Sequence, residues 1–178
     1  MRSAREGVLA LREALRAHGG TVAALLDEGS LSLPQLELPG PPQLVAHGPR
    51  ALGHEADYEL LFEMILEGSL LHYGCARVVR TEDQDLALLL GDQLYALGLS
   101  RLAELGDLDA VSELADLISL VAQAQAAADV ELIDAVWDAG AAAIGWGGSA
   151  QHEGAKALAR SEDAGATAAL TASAGSRS

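Results

Sequence analysis

Glu82–Asp107 reads EDQDLALLLGDQLYALGLSRLAELGD, and its punctuation decides the fold. Thr81 followed by Gln84 three residues on fits a capping box, and Glu82, Asp83 and Asp85 fall in a first turn, where the helix dipole favours acids. The apolar run then continues without proline to Gly106, and Asp107 stands ready to cap the next helix. The same grammar repeats on both sides. Downstream, Leu108–Ala128 carries Val111, Leu114, Ile118, Val121 and Ala122 at helical spacing, and a further helix begins near Asp129 with Val130, Ile133, Val136 and Trp137. Upstream, Asp57–Val79 carries Leu60, Leu61, Met64, Ile65, Leu71 and Val78 and is apolar on more than one face, as in a helix surrounded by others. Short turns make consecutive helices antiparallel neighbours, so the chain is predicted to be an all-α helical bundle.

Around this body the chain divides by composition. Residues 1–33 predict short N-terminal helices, with Val8, Leu11, Leu15, Val22, Leu25 and Leu26 at helical spacing, a break at Gly19-Gly20 and His18 suited to a helix C-terminus. All the prolines lie between Pro34 and Pro49, which predicts an extended connection over residues 34–50. The bundle itself is expected over 51–154. Beyond it, residues 155–178 turn to Ala, Gly, Ser and Thr with only Leu158 and Leu170 as large apolar residues, a composition that predicts a flexible tail.

Composition narrows the function classes. The chain has 178 residues and half are hydrophobic, enough to bury a core. Trp 2, Tyr 3 and Phe 1 leave few aromatics for sheet packing. Lys+Arg 11 against Asp+Glu 26 gives a net charge of −15, a field that repels phosphate backbones and argues against nucleic acid as a partner. The lone Cys75 excludes an internal disulfide and is expected to be a buried thiol inside an apolar helix. No stretch is long and apolar enough for a transmembrane segment, and the first residues lack a signal-peptide core, which together predict a cytoplasmic protein. His18, His47, His54, His72 and His152 are scattered without the spacing of metal ligands. Two acidic groups, Glu82-Asp83-Gln84-Asp85 and Asp134 with Asp138, place carboxylates on one helix face in the way Mg²⁺ needs, but helix-start electrostatics and a solvated face explain them as well.

Glu63–Val79, EMILEGSLLHYGCARVV, followed by LALLLGDQLYALGLSRLAEL, resembles the all-trans polyprenyl diphosphate synthase family. In that family an apolar helix ends in Ser-Leu-x-His-Asp-Asp-x-x-Asp, an Arg-Arg loop follows, and the next helix reads Leu-x-Gly-Asp-x-Leu. Here Ser69, Leu70, Leu71 and His72 match the approach to the first Asp-rich motif, and Gly91, Asp92, Leu94, Tyr95 and Ala96 match the helix after it. The resemblance runs from about Tyr58 to Gly147 and implies a truncated isoprenoid-synthase-like helical bundle.

The departures carry the functional reading. Where the family has metal-binding aspartates, this chain has Tyr73, Gly74 and Arg77; the Arg-Arg loop is missing, and no second Asp-rich helix follows. The resemblance therefore implies a non-catalytic small subunit that binds no cofactor itself. Mg²⁺ is expected on a catalytic polyprenyl diphosphate synthase subunit, its partner, and the small subunit would help set the length of a prenyl chain for a respiratory quinone. Leu90, Leu94, Tyr95, Leu97, Ile118 and Val121 are the candidate partner interface and tunnel wall, a pattern that fits ordinary bundle core equally well. A stand-alone homodimeric scaffold or isoprenoid-lipid-binding bundle is the alternative, and an active diphosphate enzyme using Glu82, Asp85 and Asp92 is a third reading.

Overall fold

The computed structural model describes residues 2–27, 29 and 34–176. Among these the chain is all-α, with helices α1 (Ala4–His18), α2 (Gly20–Ala24), α3 (Pro41–His47), α4 (Glu55–Tyr73), α5 (Gln84–Glu104), α6 (Leu108–Ala126), α7 (Val130–Trp146), α8 (Ala150–Arg160) and α9 (Ala166–Gly175). The expectation of N-terminal helices reaching residue 33 falls partly on Glu28 and residues 30–33, outside the described residues.

Four consecutive helices of the body, α5 to α8, begin at a side chain that satisfies an orphan amide. Asp83 accepts from the Leu86 amide, Asp107 from Ala110, Asp129 from Leu132 and Ser149 from His152. Thr81 and Gln84 do not form the expected capping box: Thr81 Oγ1 accepts from the Asp83 amide, and Asp83 takes the cap two residues later. Between α5 and α6 the turn closes at Gly106, whose φ of +78° is natural only to glycine.

Three expectations are corrected. Residues 34–50 are not extended: they hold a short 3-10 turn (Pro34–Glu37), α3 and a second 3-10 turn (Pro49–Ala51). Pro41 and Pro42 lie in the first turn of α3, where no amide is needed, so the proline cost that predicted a connection does not arise. The helix expected to reach Val79 stops at Tyr73, and residues 74–83 lead across the bundle instead. Of the expected flexible tail over 155–178, residues 155–160 and 166–175 are helical, joined by a turn, and Arg177 and Ser178 lie outside the described residues. The α8 and α9 helices bury Ala155, Ala159, Ala166, Leu170 and Ala174 against α6 and α7, where small side chains let backbones approach closely.

Two apolar clusters result. The larger joins α4, α6, α7, α8 and α9 around Phe62, whose ring meets Trp137 edge-on at 5.7 Å. The smaller gathers Val8, Leu11 and Leu15 of α1 with Met64, Val78, Leu90 and Leu94. They meet along α4 and α5, which lie against each other on a seam of glycines. A Cβ on Gly68 would come within 3.0 Å of the Gly91 carbonyl oxygen and of the Tyr95 ring, and one on Gly98 within 2.8 Å of Ile65 Cδ1. Because the Gly91 oxygen is backbone, Gly68→Ala forces the two helices apart. We expect it to cost ~1–3 kcal/mol, the usual range for overpacking, read as a lowered urea midpoint with unchanged slope, whereas an unchanged midpoint would show that the helices are not this close.

Candidate functional site

The segment that resembles the first Asp-rich motif lies where α4 ends. Glu59, Glu63 and Glu67 follow one another at i, i+4 and i+8 on one face of α4, and all three are buried. Burying carboxylates is costly unless each is paired and hydrogen-bonded, and here they are. Arg77 donates from Nη2 to Glu63 Oε2 at 2.7 Å and from Nε to Glu67 Oε2 at 3.1 Å. Glu67 Oε1 also accepts from the backbone amides of Val78 (2.6 Å) and Val79 (3.1 Å). Gln43 of α3 donates from Nε2 to Glu63 Oε1 (2.9 Å) and Glu59 Oε1 (3.0 Å), and Arg2 closes the row on Glu59 Oε2 at 3.0 Å. Gly7 lets α1 lie directly over these groups, since a Cβ there would collide with Gln43 and Glu63.

Protonation follows from this geometry. Burial pushes the Glu63 carboxyl above the usual range, against the pull of Arg77 and Gln43. Burial also works against the Arg77 charge, but Glu63 and then Glu67 outweigh it and hold the guanidinium above its usual value. Arg77 is therefore a structural cation, and its position cannot offer a ligand to Mg²⁺. Gly74 caps α4, and its amide donates to the Leu70 carbonyl at 3.0 Å. Tyr73 is half exposed. Cys75 is exposed in the loop after α4, not the buried helical thiol expected, because the helix ends two residues before it.

The residues that match the next helix of the family pattern meet His72. Its imidazole stacks on Tyr95 with centroids 5.3 Å apart and planes 7° from parallel, and it fills the space left by the missing Cβ of Gly91. Nε2 lies 3.2 Å from Asp92 Oδ1 but out of line for a hydrogen bond, and finds no such partner among the described residues. Burial pushes the Tyr95 phenol up to about 12, partly offset by a hydrogen bond with Ser69. Glu82, Asp83, Gln84 and Thr81 line a cavity of about 430 Å³ beside His72 and Tyr73.

The proposed interface residues do not share one surface. Leu90 and Leu94 are buried in the cluster with α1, and Val121 is buried in the larger core. Leu97 packs half-buried against the first cluster, and Tyr95 and Ile118 pack half-buried against the second. Ordinary core packing accounts for the three buried residues.

A second polar cluster, which the sequence analysis does not anticipate, joins α8 to α6. The ammonium of Lys156, on α8, lies 2.7 Å from carboxylate oxygens of Glu113, Asp116 and Glu153. His152 Nε2 lies 2.6 Å from Glu113 Oε1, and its Nδ1 3.3 Å from Ser173 Oγ. Arg160 reaches Asp116 at 2.6 Å. Glu113, His152 and Glu153 have ligand atoms within 4.8 Å of one another, but Lys156 already supplies the cation between these carboxylates, so the donor set suits an ammonium and not a metal ion. The hydroxyl of Ser173 donates to the Leu170 carbonyl at 2.7 Å, so it is not held as a nucleophile by His152. The cluster fastens α8 and α9 to α6. The spacing Glu113-x-x-Asp116 against Lys156-x-x-x-Arg160 was the available signal, masked by the low-complexity composition around it.

No protein-family model, no curated protein and no solved structure matches the chain.

The α8 clamp carries a pH signature. Burial raises the Glu113 and Asp116 carboxyls, but His152, Lys156 and Arg160 outweigh it and hold both below their usual values of 4.5 and 3.8. Burial likewise opposes the Lys156 charge, while Asp116, Glu113 and Glu153 raise it above the usual 10.5. A lowered carboxyl contributes stability above its unfolded value and loses it as pH falls through the folded one, and a raised amine contributes it below its unfolded value. The clamp is thus complete between about pH 5 and 10. Lys156→Met, which leaves Glu113 buried without its ammonium, is expected to cost ~3–5 kcal/mol at pH 7. That cost should shrink steadily below pH 4 in denaturant melts, and a cost independent of pH would refute the clamp.

Proposed function

We propose that this chain is the non-catalytic small subunit of a heteromeric all-trans polyprenyl diphosphate synthase. The observation that carries the reading is the state of the residues aligned with the family's first metal motif. Tyr73 is a half-exposed phenol, Gly74 a helix cap, and Arg77 a guanidinium held between two buried glutamates. A guanidinium locked into the fold replaces the carboxylate that would bind Mg²⁺, so ionisation of an allylic diphosphate is left to a partner that supplies the metal. This subunit would complete the assembly and help set prenyl chain length.

The outward face of α6 supports a docking role. Leu108, Val111, Ala115, Ile118, Ser119 and Ala122 lie along it, exposed or half-exposed, and that face carries no charge. Leu108 is 71% exposed. In a chain of net charge −15, an uncharged face is where another protein approaches without opposing carboxylates. The proposed contact therefore moves from Leu90, Leu94 and Val121, which are core, to Leu108, Val111, Ile118 and Ala122 on α6. Among the described residues no helix is long and apolar enough to cross a membrane. A homodimer that uses the same face as a scaffold or lipid-binding bundle is the second reading.

The test is co-expression with a candidate catalytic synthase, followed by light scattering and an assay of Mg²⁺-dependent isopentenyl diphosphate incorporation into an allylic primer. The reading expects activity only in the mixture, at heteromer mass. Ala115→Asp with Ser119→Asp, both exposed on that face, should abolish the complex while leaving the melting temperature of the isolated chain within about 3 °C. A stable homodimer without a heteromer supports the second reading instead, and turnover by the isolated chain overturns both.

A further inference from the structure

Two helix turns of the same construction face each other across one cavity. After α6, Ala128 takes a left-handed backbone (φ +54°), and the Asp129 amide donates to the Ala124 carbonyl at 3.0 Å. After α8, Glu162 does the same (φ +57°), and the Asp163 amide donates to the Leu158 carbonyl at 3.0 Å. Such turns ordinarily use glycine, as this chain does at Gly106. Between the two turns lies a cavity of about 210 Å³. Its floor is formed by the buried Leu120, Ala124, Ala159 and Ala166, and its mouth carries the exposed Asp129, Glu162 and Asp163.

We propose that this cavity is a binding site for a small amphiphilic cation, an ammonium group on a compact apolar body. The charge argument is direct. Two helices, α6 and α8, bring their carbonyl ends to the mouth, and two, α7 and α9, bring their amide ends, so the helix dipoles oppose one another. Side chains then set the sign. Three carboxylates line the mouth, and no lysine, arginine or histidine lines the cavity among the described residues. Arg160, one turn away on α8, is turned to Asp116 at 2.6 Å. Asp129 and Asp163 each spend one oxygen on a backbone amide, of Leu132 at 3.0 Å and Gly165 at 2.8 Å, which fixes their orientation and leaves the other oxygen for a ligand.

Size sets the ligand class. Drug-sized sites occupy roughly 300–1,000 Å³, so this one takes a molecule of roughly ten non-hydrogen atoms, with a dissociation constant on the order of 100 µM. An arylalkylamine satisfies both halves of the site: the ring covers Leu120 and Ala124, and the ammonium meets the carboxylates.

The experiment is a titration of the isotope-labelled full chain by amide NMR, with phenethylamine as cation and 2-phenylethanol as its neutral isostere. The expected result is saturable shifts at Ala124, Ala127, Ala164 and Thr167, with the amine at least about tenfold tighter than the alcohol. In Asp129→Asn/Glu162→Gln/Asp163→Asn, where asparagine preserves both backbone caps, that preference should fall to within about twofold. Equal binding of amine and alcohol to the native chain overturns the charge assignment. Absence of saturable shifts at these amides up to about 5 mM amine, some fifty times the expected constant, overturns the site.

Discussion

Arg77 held between Glu63 and Glu67 is the constraint on which the N-terminal half of the structure depends. An α-helix places residues i and i+4 one above the other, so α4 presents both carboxylates to one side, and a single guanidinium bridges them. Neither charge is tolerable there alone, because removing one member of a buried pair leaves the other uncompensated. The chain after Tyr73 must therefore return across α4. That return lets the Val78 and Val79 amides reach Glu67, and pairs Val79 with Leu26 in an isolated antiparallel bridge. Arg80 then meets Asp27 at 2.7 Å, and α1 and α3 seal the row through Gly7, Gln43 and Arg2.

The C-terminal half repeats the device with the signs distributed differently. There a lysine on α8 satisfies carboxylates of α6, and the alanine-rich helices α8 and α9, which bring little apolar area of their own, stay docked through that charge. A small part of the chain's acidity is thus internal: of 26 acidic residues, Glu59, Glu63, Glu67 and Glu113 are buried structural groups. The net charge of −15 then acts from outside, leaving the uncharged face of α6 as the approach for another protein.

How much of this was legible depends on the interaction concerned. The helices of the body follow from local signals, Asp83 excepted as the cap two positions past the expected Thr81, and Asp107 and Asp129 mark starts that a reader finds without tertiary information. What was not legible depends on contacts distant in sequence. Pro41 and Pro42 predict a break until their position in a first turn is known. The composition of residues 155–176 predicts flexibility until Lys156 meets Glu113, 43 residues earlier. Glu59, Glu63 and Glu67 did leave a signal, three acids at helical spacing inside an otherwise apolar helix, which asks for a buried cation. Leu90, Leu94 and Val121 show the converse: apolar periodicity tells that a side is buried, not whether a partner or the chain's own α1 buries it.

The functional account stands on Arg77 being part of the fold and not a free cation at a vacant metal motif. Hydrogen exchange at the Val78 and Val79 amides tests that directly, since both donate to Glu67 only while Arg77 holds the returning chain in place. The account predicts protection comparable to the centre of α4, near the global stability. Exchange as fast as at the exposed Cys75 in the same loop would contradict it.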